Sequence, residues 1–179
     1  LLKQYKTKAT FFICSQNDID NYKYLNQILE EEHEIGIYGY STKENQYKDL
    51  STFKNYLEEM QKIIYDAAGK NTTIYKFMKE NKLKNSNQET IKEIKEYLEK
   101  KKITYYDWDT DSTDNLILNI TSEKLTDDII NQLLQNTNKE IIIIFQDTEV
   151  NQSTIKTLPG IIEFLKEMNY SFDTVSNTK

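Results

Sequence analysis

The run Ile141-Ile142-Ile143-Ile144-Phe145 limits the fold more than any other stretch of the chain. β-Branched residues with no polar alternation suit a strand covered on both faces, the condition of central strands in parallel sheets. Parallel neighbours need long crossovers, which are usually helices. The rest of the sequence meets that demand. Short apolar runs at residues 9–14, 34–38, 72–77, 103–106 and 170–174 predict strands to join 140–145. Patterns of period 3.6 at residues 19–32, 50–68, 88–101, 126–135 and 153–168 predict the helices between them, with Gly69 ending the second. The reading is an α/β fold of successive βα units around a mainly parallel sheet.

At 179 residues, 37% of them hydrophobic, the chain can bury one continuous core but is short for two, so residues 1–179 read as a single domain. Acidic residues outnumber basic ones by 29 to 23, and every basic residue is lysine. A net charge of -6 without arginine argues against nucleic acid as a partner, because phosphate and base recognition lean on arginine and on a basic surface. No apolar stretch approaches the roughly 20 residues needed to span a bilayer, and no signal-peptide pattern opens the chain. Leu1-Leu2-Lys3-Gln4-Tyr5 reads as the middle of an amphipathic helix without a cap, as in a fragment whose upstream part is missing.

In a sheet of βα units the working residues gather at the carboxyl ends of the strands. Those ends carry Ser15-Gln16-Asn17, Tyr38-Gly39-Tyr40-Ser41-Thr42, Lys76-Phe77-Met78, the stretch from Asp107 to Ser112, and Gln146-Asp147-Thr148.

Taken in order, the motifs resemble the polysaccharide deacetylase family, the NodB homology domain of carbohydrate esterase family 4. Lys8-Ala9-Thr10-Phe11-Phe12-Ile13 is similar to its K-A-T-F-F-V strand and His33-Glu34-Ile35-Gly36 to its G-H-E-I-G segment. Trp108-Asp109-Thr110-Asp111-Ser112-Thr113-Asp114 resembles its W-N-V-D-S-x-D run, and Ile143-Ile144-Phe145-Gln146-Asp147-Thr148 its L-L-H-D-T strand end. The stretch from Thr157 to Leu165, followed by Tyr170-Ser171-Phe172, is similar to the family's last helix and strand. The resemblance implies an irregular (β/α) barrel. It also implies deacetylation of chitin-like or peptidoglycan sugars by a divalent metal on one aspartate and two histidines, with a second aspartate as base and a late histidine as acid.

The same resemblance implies that this chemistry has been lost. The two metal histidines of the family's H-S-x-x-H turn fall on Tyr38 and Thr42, neutral phenol and hydroxyl groups that bind zinc poorly. The arginine of its R-x-P-Y-G segment falls on Lys76, which keeps charge without the planar fork. The acid histidine falls on Gln146, with only the supporting Asp147 retained. The family's aspartate pair belongs to a first strand upstream of K-A-T-F-F, apparently missing from this chain. The expectation is therefore a degenerate domain with no catalytic residue, no metal ligand and no cofactor. It would act as a carbohydrate-binding or protein-interaction module, extracellular or at a cell surface by family resemblance. Its candidate binding residues are Tyr38, Tyr40, Thr42, Lys76, Trp108, Asp109, Asp111, Gln146 and Asp147. The alternative is a metal-dependent N-deacetylase, zinc or another divalent ion being held by an atypical ligand set completed by Asp109 or Asp147.

Other features carry less. His33, the only histidine, corresponds to a scaffold residue of the family pattern. Cys14 lies in an apolar run and reads as a buried thiol. Asp107, Asp109 and Asp111 have calcium-loop spacing, but Ser112 and Leu118 stand where the loop needs glycine and glutamate. Tyr38, Tyr40, Tyr47, Tyr105, Tyr106 and Trp108 put aromatic rings near one end of the sheet, where they would suit the apolar face of a pyranose unless they belong to the core.

Overall fold

The computed structural model describes residues 1–14, 22–39, 46–77, 87–106, 110–111, 121–136, 139–145 and 152–177. The chain divides into two compact units, residues 8–107 and residues 1–7 with 108–179.

The first unit is a four-stranded parallel sheet, β1 (Thr10–Ile13), β2 (Glu34–Gly39), β3 (Ile74–Phe77) and β4 (Thr104–Tyr106), whose spatial order equals its chain order. Between the strands lie α2 (Tyr22–Glu30), α3 (Leu50–Ala68) and α4 (Gln88–Lys100). Strand residues alternate in facing, and the two sets differ. Ile13, Ile35, Ile37, Tyr75, Phe77 and Tyr105 meet Leu25 of α2, Phe53, Leu57, Met60 and Ile64 of α3, and Ile91, Ile94 and Leu98 of α4 in one core. The other set is Thr10, Phe12, Glu34, Gly36, Tyr38, Ile74, Lys76, Thr104 and Tyr106, of which Ile74 is buried.

Local chemistry sets the helix ends. Asp49 caps α3 by accepting from the Thr52 amide at 2.7 Å, which holds its carboxyl below the usual carboxylate range. Gly69, with φ 71, closes the same helix through its amide to the Tyr65 carbonyl. Buried Phe53, Leu57, Met60, Ile63 and Ile64 form the single stripe its period predicts. Gln61 then pins the approach to β3 by bonding both the amide and the carbonyl of Thr72.

The second unit holds α1 (Leu2–Tyr5), a parallel pair β5 (Thr110–Asp111) and β6 (Ile143–Ile144), and α5 (Ser122–Gln135) with α6 (Gln152–Glu167). Leu125, Ile129 and Leu133 of α5 and Ile161 and Leu165 of α6 form its core. Gly160 faces Thr126 across the two helices, where a Cβ would stand 3.5 Å from the Thr126 methyl, an ordinary contact.

Four expectations are corrected here. Of residues 140–145 only Ile143 and Ile144 form a ladder among the described residues, and residues 141–145 are half-buried rather than covered on both faces. Residues 170–174 form no strand; the Asp173 carboxylate accepts from the Thr174 amide and the Asn177 side chain, turning the chain into a 3₁₀ helix at Val175–Asn177. The helix expected at 19–32 is described from Tyr22 and stops at Glu30, where Glu31 and Glu32 form a turn with Glu32 at φ 61. The helix expected at 126–135 starts a turn earlier, on the Thr121 cap. Leu1 gives α1 no side-chain cap, and α1 is one turn long.

Candidate functional site

β2 and β3 run parallel so that Tyr38 stands beside Lys76, and the next register pair places Lys76 beside Tyr106 of β4. The three side chains thus form a row across the sheet near its carboxyl edge. The Lys76 ammonium lies 4.5 Å from the Tyr38 ring centroid and 5.6 Å from that of Phe12. Those are cation–π distances, and at 6% exposure the charge sits where the rings count for more than they would in water. Gly36 makes the arrangement feasible: a Cβ there would lie 2.6 Å from the Phe12 ring, so its absence lets that ring cross β2. Lower on the same face Thr10 donates to Glu34 at 3.0 Å. Burial, then the charge of Glu34, pushes the Tyr106 phenol above its usual range.

The backbone beneath Tyr38 is held from the helix side. Tyr56 of α3 donates to the Tyr38 carbonyl at 2.6 Å, and Tyr47 donates to the Gly39 carbonyl at 2.9 Å. The Tyr47 and Tyr75 hydroxyls meet at 2.9 Å.

Of the candidate residues, Tyr38 and Lys76 are brought together as a register pair. Asp111 lies on β5 opposite Ile144. Tyr40, Thr42, Trp108, Asp109, Gln146 and Asp147 lie outside the described residues, as do Asp107, Ser112 and Leu118 of the calcium-like spacing. Two aromatics from the predicted cluster belong to the core instead: Tyr47 is 1% exposed, and Tyr105 packs its ring 5.6 Å from Phe77 on the helix side. Phe12, Gly36 and Glu34 were not singled out, although strand alternation around Tyr38 and Lys76 would have found them. Cys14 is half-buried rather than buried. His33 is buried just before β2, at the opposite end from Tyr38, against Phe11 at 5.5 Å and Glu31 at 3.9 Å.

The described donors do not fit the divalent metal of the family. Tyr38 presents a phenol whose ring lies beneath an ammonium, and neither group is a zinc ligand in its ordinary protonation state. No three His, Cys, Asp or Glu side chains come together among the described residues. Nor is any described helix long and apolar enough to cross a membrane.

Residues 1–78 match the family model described as polysaccharide deacetylase. No match is found among curated proteins. Solved structures are similar along nearly the whole chain. The catalytic domain of a peptidoglycan N-acetylglucosamine deacetylase from Eubacterium rectale has a TM-score of 0.84 at 21% identity, over 99% of this chain and 80% of that one. A polysaccharide deacetylase from Bacillus cereus has 0.76 at 22%, over 97% and 81%. A CE4 family pseudoenzyme from Bacillus anthracis has 0.73 at 17%, over 98% and 56%. Residues 1–78 are thus similar to the polysaccharide deacetylase family, and the parallel α/β fold of the chain is that of solved deacetylases of the NodB type.

Proposed function

We propose that residues 1–179 form one polysaccharide deacetylase-like domain that has lost hydrolysis and serves as a carbohydrate-binding or protein-interaction module outside the cell or at its surface. The observation that carries this reading is the Tyr38–Lys76 pair. Where the family's motif has an imidazole to hold the ion, this chain has a phenol stacked under a fixed ammonium. A metal that activates water needs a good ligand at that place; a neutral phenol is a poor one and an ammonium is none. The Tyr38–Lys76 pair offers what sugar recognition uses, an aromatic ring beside a hydrogen-bond donor; Tyr40, Thr42, Trp108, Asp109, Asp111, Gln146 and Asp147 are the further candidates that the sequence supplies. The similarity to a protein described as a CE4 family pseudoenzyme supports the loss of activity.

Titration calorimetry with zinc and with cobalt tests the reading: no one-site binding is expected, and a micromolar site overturns it. Chitohexaose and peptidoglycan fragments are the glycan probes, with binding expected to weaken at least tenfold in Tyr38→Ala.

A second reading draws on the TM-score of 0.84 to the Eubacterium rectale deacetylase. It is a metal-dependent deacetylase of peptidoglycan or chitin-like polysaccharide, hydrolysing the carbon–nitrogen bond of acetylated amino sugars with a ligand set completed by Asp109 or Asp147. Acetate released from an acetylated chitooligosaccharide and abolished by a chelator would favour it over the first.

A further inference from the structure

β2 outlasts its neighbour. The β1–β2 ladder ends at Ile13 and Ile37, while Tyr38 and Gly39 continue beside β3. Carbonyls past the end of a ladder need other donors, because an unsatisfied carbonyl in a dry place is costly. Here both are served by tyrosines. Tyr56 donates to the Tyr38 carbonyl at 2.6 Å, and Tyr47 to the Gly39 carbonyl at 2.9 Å, with Tyr75 against Tyr47 at 2.9 Å. The approach is so close that a Cβ on Gly39 would lie 2.0 Å from both the Tyr47 and the Tyr75 hydroxyl, so only glycine fits. Tyr47 and Tyr75 are buried, and a hydrogen-bonded network in such surroundings has one geometry.

We infer that Tyr56 and Tyr47 are positioning residues, which hold the main chain of Tyr38 and Gly39 so that the Tyr38 ring lies under the Lys76 ammonium. A ring on a strand end is aimed by its backbone, and here that backbone is fixed by two hydroxyls from the far side of the sheet. Tyr75 supports Tyr47. Burial, then the neighbouring Tyr47, pushes its phenol well above the usual range, so Tyr75 remains a neutral donor at physiological pH. The inference concerns the geometry of the pair and stands whether or not a glycan binds there.

Nuclear magnetic resonance of protein labelled with ¹³C-lysine reads that geometry. The Lys76 ε-methylene resonance, assigned by its disappearance in Lys76→Met, is expected upfield of free lysine because of the ring current of Tyr38. Tyr56→Phe and Tyr47→Phe, which delete one oxygen each, should each lose at least half of that displacement while circular dichroism stays that of the folded protein. Tyr97→Phe, which touches neither carbonyl, should leave it in place. Wild-type protein without an upfield resonance, or folded Tyr56→Phe and Tyr47→Phe proteins that both keep it, would overturn the inference. If one variant fails to fold, the other decides. If neither folds even at 10 °C, the hydroxyls build the core rather than aim the ring, and the inference also fails. A wild-type protein that keeps the shift and binds no glycan removes the carbohydrate-binding reading of the proposed function and leaves this inference standing.

Discussion

The two faces of the β1–β4 sheet come from the same strands in alternation, yet they share almost no chemistry. Toward the helices, Ile37, Tyr75 and Phe77 interlock with Phe53, Leu57 and Ile94. Rings there meet edge to face, as Phe53 does with Tyr75 at 5.4 Å. On the other face two threonines, a glutamate, a lysine and two tyrosines stand in register around one buried aliphatic side chain, Ile74, and the one phenylalanine, Phe12, is half-buried beneath a charge. The helix-side face holds the fold together by removing apolar area from water. Its opposite spends that stability on keeping polar groups in set places, which is the pattern of a site.

Deleting one ring from each face should break or confirm that contrast. Phe53→Ala empties a fully buried position between α3 and two tyrosines, and is expected to cost about 3 to 5 kcal/mol. Phe12→Ala, at a half-buried position whose ring lies over Gly36, should cost about 1 kcal/mol. Urea unfolding of both variants measures the pair. Equal losses would mean that the second face is a core like the first, and the site reading would go with it.

The helix-side face was legible in the sequence because it announces itself twice, in helix period and in strand composition. Residues 50–68 were bounded correctly, since a capping aspartate precedes them and a glycine follows them. The site was less legible for a geometric reason. Knowing that residues 72–77 form a strand does not say which alternate set faces which way, and a slip of one residue exchanges them. Tyr38 and Tyr47 look alike in a string of tyrosines. Only the register that puts Tyr38 beside Lys76 and the turn that buries Tyr47 tell them apart. The isoleucine run differs in another way: four β-branched residues favour a strand wherever it lies, but its length is set by its partner, and among the described residues Ile143 and Ile144 alone pair, with Thr110 and Asp111. At 170–174 the composition favours a strand and the Asp173 side chain favours a turn; the side chain wins because it satisfies two donors locally.

A smaller effect sharpens the comparison by moving it to the second unit, where the apolar pattern gave the helix but not its beginning. Thr121 accepts from the Lys124 amide one turn ahead of the stripe that starts at Leu125. Thr121→Ala removes that cap and should cost about 1 kcal/mol. Thermal unfolding measures it, and no change would mean that α5 begins at its apolar stripe after all.

The gentlest expectation is a slope rather than a step, and it concerns the amino end of the sheet, away from Tyr38. His33 is buried, and its Nδ1 has no hydrogen-bond partner among the described residues. Burial lowers its pKa from the ordinary value of 6.5; Glu31, 3.9 Å from Nε2, opposes this and Lys8 adds to it. Because the folded pKa lies below the unfolded one, the unfolded chain binds the proton more readily, and acid favours unfolding. The contribution is whole above pH 6.5 and is lost as the pH falls through the folded value. With one histidine in the chain, little else titrates between pH 7.5 and 5.5, so the fall in urea midpoint across that window belongs to this side chain. His33→Gln should flatten the curve there whatever it does to the midpoint itself. A curve that keeps its slope in the variant would place the titrating group elsewhere, most directly on the carboxylates around Lys8, and would make the buried imidazole indifferent to its charge.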